Sequence, residues 1–401
     1  MLSKVKSVQP AAPQNANGWG SIFSPSFKDH CRKAVAGGLY HSGVLWATQG
    51  FEGSHEFIAT ADTRLPRLRR SSGSKFGILC YHRVGTEGVP FCSRLEPTLF
   101  EAQMRYLRKR YRLVPLEQLC RELSGGDQVP PTLAITFDDG YRDLYIYALP
   151  VLQKYEIPAT IYLIGLCMET GNAPWYDRIF ASIAVTPDTS LELELNGLRR
   201  FSLTTPPHRF AAAWEVVCYL RSISDTARQR WCAEFERRLR PPVELLQDRM
   251  LGWEEVRSMQ RAGISFGAHT MNHPAVSRLD PSAFQNEFVF SKQLLENGLG
   301  VPVDDFAYPF GRPTDGNAAA QEFLVRAGYR SAVTTMEGFN SPGENPYLLR
   351  RLQINDDCSL SLFAFNLSRM FFEASAAHPV LWESALPDQE AAVAESVRSI
   401  S

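Results

Sequence analysis

Thr132-Leu133-Ala134-Ile135-Thr136-Phe137-Asp138-Asp139-Gly140 decides the fold of this 401-residue chain. The first six residues are apolar or β-branched, the pattern of a strand buried on both faces, and such strands belong to parallel sheets covered by helices. The run ends on two carboxylates and a glycine, which lets the backbone turn sharply where both acids must face one site. Further short apolar runs lie at Phe76 to Tyr81, Ala159 to Ile164, Ile264 to Ala268, Asp305 to Tyr308 and Ser331 to Thr334, with a last one at Leu349 to Ile354. Helix signals fall between them, among them Pro97 to Lys109 and the stretch opening with Asp280 as N-cap and Pro281 at the first helical position. The alternation predicts an α/β fold of β-α units closing into a parallel sheet or barrel.

About eighty residues, 167–249, interrupt the alternation. Leu191, Leu193 and Leu195 alternate before an Asn196-Gly197 turn and the run Leu198 to Leu203, a hairpin signal. A long amphipathic stretch from His208 to Leu239 follows, so the segment reads as an α/β insertion. A polar stretch, Leu65 to Ser74, sets a boundary near 72. The expected organisation is an N-terminal helical or irregular extension over 1–72, a barrel over 73–370 carrying the insertion, and a C-terminal tail over 371–401.

Hydrophobic residues at 44% and charged residues at 21% exclude disorder and a membrane-embedded chain. The net charge of -1 supplies no field for nucleic acid. Arginine-rich stretches at Arg67 to Arg70 and Arg237 to Arg240 read as solvated helix or linker faces. The eight cysteines contain no C-x-x-C pair, as expected of reduced thiols in a cytoplasmic setting. The first twenty residues lack the apolar stretch of a signal peptide. The run from Ala36 to Ala47 is interrupted by His41 and is too short to span a bilayer, so it reads as a docked helix, with peripheral membrane contact as the alternative.

Polar residues of interest follow predicted strands: His82 the first, Asp138 and Asp139 the second, His269 and His273 the run Ile264 to Ala268. In a β/α barrel those ends converge on the face that carries active sites. The bland reading of Asp138-Asp139 is a helix N-cap with a solvated neighbour, and of the two histidines a pair lining a loop. In helical geometry the i,i+4 spacing of His269 and His273 puts both rings on one face, with Pro274 limiting that helix to about one turn. Two imidazoles and a carboxylate form the donor set of catalytic zinc, and a neighbouring free carboxylate can accept a proton.

Thr136-Phe137-Asp138-Asp139-Gly140 followed by His269-Thr270-Met271-Asn272-His273 resembles the polysaccharide deacetylases of carbohydrate esterase family four, the nodulation-factor deacetylase homology family. The resemblance extends over about Gly73 to Asp357. It includes the opening Ile78-Leu79-Cys80-Tyr81-His82-Arg83-Val84, similar to the exopolysaccharide-biosynthesis branch. It implies a distorted (β/α) barrel, Asp138 as catalytic base, and Asp139, His269 and His273 as ligands of a divalent metal, zinc first, with cobalt or another divalent transition metal also fitting. The third motif survives as Phe306-Ala307-Tyr308-Pro309-Phe310-Gly311, with Ala307 where the family carries an arginine. The base's usual orienting partner is therefore expected to be missing. By analogy Pro309 and Phe310 form the oxyanion and substrate wall, the Phe310 N–H stabilising the tetrahedral oxyanion. The family's late aspartate and Leu-x-His are not evident near Ala332 to Thr335 and Leu349 to Ile354, so His82 is assigned the acid role or substrate binding.

The resemblance implies hydrolysis of N-acetyl groups, with O-acetyl as the variant, on an amino sugar of a polysaccharide or a lipid-linked precursor, through metal-activated water with Asp138 as base. The alternatives are a deformylase or cyclic-amide hydrolase of the same fold, and a catalytically silent sugar-binding protein. Trp175, Tyr176 and Trp253 read as core packing, with sugar platforms as the alternative.

Overall fold

The computed structural model describes residues 69–70, 76–86, 94–125, 129–242, 246, 249–356, 358–368 and 372–373. Seven parallel strands form a closed ring: β1 (Phe76–Tyr81), β2 (Thr132–Phe137), β3 (Ala159–Leu163), β4 (Ser265–Ala268), β5 (Asp305–Ala307), β6 (Ser331–Glu337) and β7 (Leu349–Gln353). Closure comes from β1, which pairs with β2 on one side and with β7 on the other. A two-residue strand, Arg112–Leu113, adds to the start of β2. All seven barrel strands match predicted runs, with ends shifted by one residue at most except in β6. There an irregular register between Val333 and Glu337 carries the strand three residues further.

Every residue of β1, β2 and β3 is buried, as both-faced burial requires. Alternation divides them: Phe76, Ile78, Ala134, Tyr162, Ala307, Val333 and Leu349 pack with one another inside the barrel, whereas Leu79, Tyr81, Leu133, Ile135, Phe137, Ile161 and Leu163 meet the outer helices. Helix α1 (Pro97–Arg110) illustrates how an outer helix is specified. Glu96 caps it by accepting the Thr98 N–H at 2.8 Å, Pro97 starts it, and Arg108, Lys109 and Arg110 face the negative end of its dipole. Its buried Phe100, Met104 and Leu107 form the apolar stripe, each worth about 1.5–3 kcal/mol on burial. Helix α2 (Leu116–Gly125) sends Leu116, Leu119 and Leu123 into the interior cluster.

The insertion leaves between β3 and β4. It comprises α3 (Trp175–Val185), an antiparallel hairpin (Ser190–Glu194 with Leu198–Ser202), α4 (Pro206–Ser222) and α5 (Asp225–Leu239). The predicted amphipathic stretch is two helices, because Ser224 caps a new one by accepting the Ala227 N–H. Leu191, Leu193 and Leu195 alternate inward onto a separate core with Ile179, Val216 and Phe235. Arg237 and Arg238 lie in the exposed last turn of α5. Arg69–Arg70, within the stretch read as a solvated helix or linker face, is a short strand that pairs antiparallel with Phe372–Glu373, a partner three hundred residues away that no local pattern announces. The predicted helix over Ala36 to Ala47 and most of both terminal segments lie outside the described residues. Among the described residues no helix is long and apolar enough to cross a membrane.

Candidate functional site

Asp138 immediately follows β2 and is almost fully buried. Strand β7 places Arg351 on the same inward face as Leu349, and the β7-β1-β2 pairing brings its guanidinium across to Asp138. Arg351 donates to both carboxylate oxygens at 2.7 Å each, to Thr136 Oγ1 at 3.2 Å and to the Thr334 carbonyl at 2.7 Å. The usual partner is absent from the third motif, as expected from Ala307, but the base is oriented all the same. Ala307 cannot supply one, but a wholly buried arginine from another strand does, in the bidentate geometry that suits a carboxylate. Burial alone would raise the Asp138 pKa; the Arg351 charge and hydrogen bonds overcome it and hold the carboxyl well below its ordinary range.

Asp139 takes the opposite direction because its backbone is left-handed, φ 71°, as is that of Gly140, φ 79°. A side chain at Gly140 would strike Leu163 Cδ2 at 2.6 Å. The turn thus begins one residue before the glycine and splits the two carboxylates. Asp139 is 4% exposed and its Oδ1 accepts no hydrogen bond. That oxygen stands 3.5 Å from His269 Nε2 and 3.4 Å from His273 Nε2.

The histidines reach it by a route the spacing did not predict. His269 to His273 is a loop, not a helical turn, with left-handed Thr270 (φ 63°) and His273 (φ 52°). Thr270 Oγ1 accepts the His273 N–H at 3.0 Å, and the buried Glu287 carboxylate accepts the N–H groups of Met271 and Asn272 at 2.9 Å each and Asn272 Nδ2 at 2.7 Å. These bonds replace the helical ladder, so the i,i+4 pair converges through loop geometry. The insertion completes the support. Trp175 Nε1 donates to the His273 carbonyl at 3.0 Å, and Arg228 to the Asn272 carbonyl at 3.2 Å. Trp175 is thus a buried brace, Tyr176 lies with its ring 4.9 Å from that of His273, and Trp253 packs on Gly298 in the barrel's outer layer.

His269 Nδ1 lies 2.7 Å from the Ala307 carbonyl, which fixes the proton on that nitrogen and leaves the Nε2 lone pair toward Asp139. Burial pushes the His269 pKa down to about 4 and that of His273 well below the imidazole range, the latter helped by His269 and Arg228, so both rings are neutral donors. Burial, and then the Asp138 charge, push Asp139 up. Donor separations of 3.4 and 3.5 Å are long for a hydrogen bond. They match the edge of a tetrahedron whose ligands lie about 2.0–2.2 Å from a central zinc-like ion. The donor set and the orphaned Asp139 oxygen therefore fit a divalent cation.

A second cluster, Cys80, His82 and Asp138, has its donor atoms within 4.8 Å of one another but does not fit one. Its cation is already the Arg351 guanidinium. Burial also raises the Cys80 pKa, keeping it a thiol whose Sγ donates to Asp138 Oδ2 at 3.5 Å. His82 stands at the mouth, its side chain 44% exposed and Nε2 3.9 Å from Asp138 Oδ2. Phe310 follows Pro309 with φ 59° and packs its ring 4.9 Å from that of His273. At Gly311 a Cβ would meet Thr335 N at 2.4 Å, so only glycine lets this loop approach β6 so closely.

Fold and site together define a β/α-barrel hydrolase, its polar groups gathered at the C-terminal ends of the strands. Residues 125–332, just over half of the chain, match the polysaccharide deacetylase family, and the chain belongs to that family. It is a deacetylase, a hydrolase of acetyl groups on polysaccharide. The Bacillus subtilis (strain 168) protein named "Putative polysaccharide deacetylase YxkH" is 24% identical over 305 residues, covering 76% of this chain and 80% of its own length. The Streptococcus pyogenes deacetylase PplD, solved in complex with acetate, shares the fold with a TM-score of 0.50 at 22% identity over 74% of this chain and 98% of its own.

Proposed function

We propose that the chain is a divalent-metal-dependent deacetylase that removes acetyl groups from an amino sugar of a polysaccharide or its precursor, with N-acetyl preferred to O-acetyl. The observation that carries this is the buried convergence of Asp139 Oδ1, His269 Nε2 and His273 Nε2 at 3.4–3.5 Å from the shared oxygen, beside a second carboxylate, Asp138, that takes one N–H of Arg351 on each oxygen and keeps a lone pair on each for a proton. In this reading Asp139, His269 and His273 hold the cation, zinc being the first choice. When bound, the cation supplies Lewis acidity toward the acetyl carbonyl and the attacking water.

Asp138 accepts the water's proton, with Arg351 fixing the orientation of the carboxylate. A carboxyl held below its ordinary range is a weak base, and a cation held by Asp139, His269 and His273 would supply the acidity that such a base needs in the attacking water. The Phe310 N–H, on a loop pinned by Gly311, is assigned to the tetrahedral oxyanion and Pro309 to the adjoining wall. His82, partly exposed and 3.9 Å from Asp138, is assigned either the proton for the leaving nitrogen or a contact with the substrate. Arg351 counts against a catalytically silent binding protein: the orienting arginine lost from the third motif is present from β7, at the cost of burying a charge.

The test is acetate release from N-acetylglucosamine oligomers by metal-stripped protein re-supplied with zinc or cobalt. Release restored by metal, and lowered by about 10²–10⁴ in Asp138→Asn as for loss of a general base, is expected. Metal-replete protein that releases no acetate from these oligomers, or that releases none while freeing formate from an N-formyl sugar or opening a cyclic amide offered in parallel, would overturn the assignment.

A further inference from the structure

A cleft of about 110 Å³ lies between the insertion and the barrel rim, lined by Cys218 and Arg221 of α4, Arg278 from the loop after β4, and Phe310, Arg312 and Asp315 from the loop after β5. One water needs about 10–15 Å³ of such space, so the cleft accommodates several waters or one group the size of a carboxylate or phosphate. Three of the lining residues are arginines and one is an aspartate, in a chain whose 42 basic and 43 acidic residues otherwise balance. The carboxylate, Asp315, is buried and accepts the Ser277 and Arg312 backbone N–H groups at 3.0 Å each. It ties the two loops together, so Arg278 and Arg312 project from a fixed frame. The Arg221 guanidinium lies 4.2 Å over the Phe310 ring, whose neighbour is His273. The cleft therefore shares a wall with the catalytic centre.

We propose that this cleft is a subsite for an oxyanion, a carboxylate or phosphate, carried by the acetylated substrate next to the sugar that is deacetylated. The proposal rests on the deacetylase reading above. Arginine suits the role because its planar fork matches both groups and stays charged at any working pH. A uronic acid in the polymer and the phosphate of a linked precursor are the two sources of such a charge, and both present oxygens of the same chemistry to the same side chains.

The experiment compares kcat/KM for a neutral N-acetylglucosamine oligomer, an oligomer of equal length with alternating glucuronic acid, and an N-acetylglucosamine diphosphate. It uses zinc-loaded protein and its Arg278→Gln and Arg312→Gln variants, with Arg326→Gln on an exposed helix as the control. One of the acidic substrates is expected to be preferred, and which one identifies the source of the charge. The ratio of acidic to neutral kcat/KM should fall about tenfold or more in each cleft variant, as for loss of one charge-assisted hydrogen bond, and also with added salt. Equal rates for all three substrates, unchanged in the variants, would overturn the subsite and leave the deacetylase reading intact. Should no substrate be turned over, that reading fails, and equilibrium titration of the acidic compounds decides the cleft separately: binding weakened in Arg278→Gln and Arg312→Gln upholds it, and no binding overturns it.

Discussion

Arg351 sits on a strand of a closed ring and Asp138 at the very end of another, separated only by β1, whereas His269, His273 and Phe310 sit on loops left-handed at Thr270, His273 and Phe310. The first half of the site is held by the barrel's own register. The second is held by hydrogen bonds from elsewhere: Glu287 ahead of the helix Ser291–Leu299, and Trp175 and Arg228 of the insertion. A charge inside the barrel is thus bound up with folding, while a ligand on a loop is bound up with positioning. The two halves should fail in different ways.

The largest effect belongs to the strand-borne half. Arg351→Met leaves the Asp138 carboxylate buried and unpaired, with an expected cost of about 3–5 kcal/mol at neutral pH, measured by denaturant unfolding. Pairing it with Asp138→Leu should recover most of that stability without activity; failure to recover would mean Arg351 matters for packing rather than charge. The pH dependence should also invert. In the native protein the Asp138 pKa is held below its unfolded value of about 3.9, so its stabilisation is complete above that pH and lost as pH falls through the lower folded value. In Arg351→Met, burial raises the pKa instead, and stability should fall as pH rises from the unfolded value of about 3.9 through the raised folded value.

On the loop-borne half, Glu287→Gln removes the charged acceptor that shapes the Met271–Asn272 turn. Zinc affinity is expected to fall about 10–100-fold, as for a lost partner behind a metal ligand, while the unfolding free energy moves less than in Arg351→Met. Equal stability losses in the two variants would erase the distinction between the halves. The smallest effect is at the insertion's edge: Trp175→Phe deletes one N–H to the His273 carbonyl. It should weaken zinc binding about fivefold, corresponding to about 1 kcal/mol for a single hydrogen bond. Unaltered affinity by competition titration would mean the insertion does not steady the loop.

Much of the architecture was legible because both-faced burial writes itself as continuous apolar runs, and the runs at Phe76, Thr132 and Ala159 begin where the strands begin. The acids and histidines were legible because they follow such runs. Arg351 was missed although a signal existed: in the strand starting at Leu349, period two puts Leu349 and Arg351 on one face, and an inward charge needs a partner. Nothing local named that partner, which lies 213 residues earlier. The helical expectation for His269 and His273 failed for a related reason: apart from the local Thr270–His273 bond, the hydrogen bonds that stabilise the left-handed loop come from Glu287, Trp175 and Arg228, which lie in other elements.

The sequence by itself determined the strands, their order of appearance, the Asp138-Asp139 and His269-His273 candidates and the inserted hairpin, because periodicity and turn chemistry are properties of neighbouring residues. Only the tertiary structure decided which carboxylate is paired with a guanidinium and which is left facing two imidazoles. That choice depends on the closure of the barrel through β1 and on the left-handed turn at Asp139, and both are settled by contacts between segments that the chain keeps far apart.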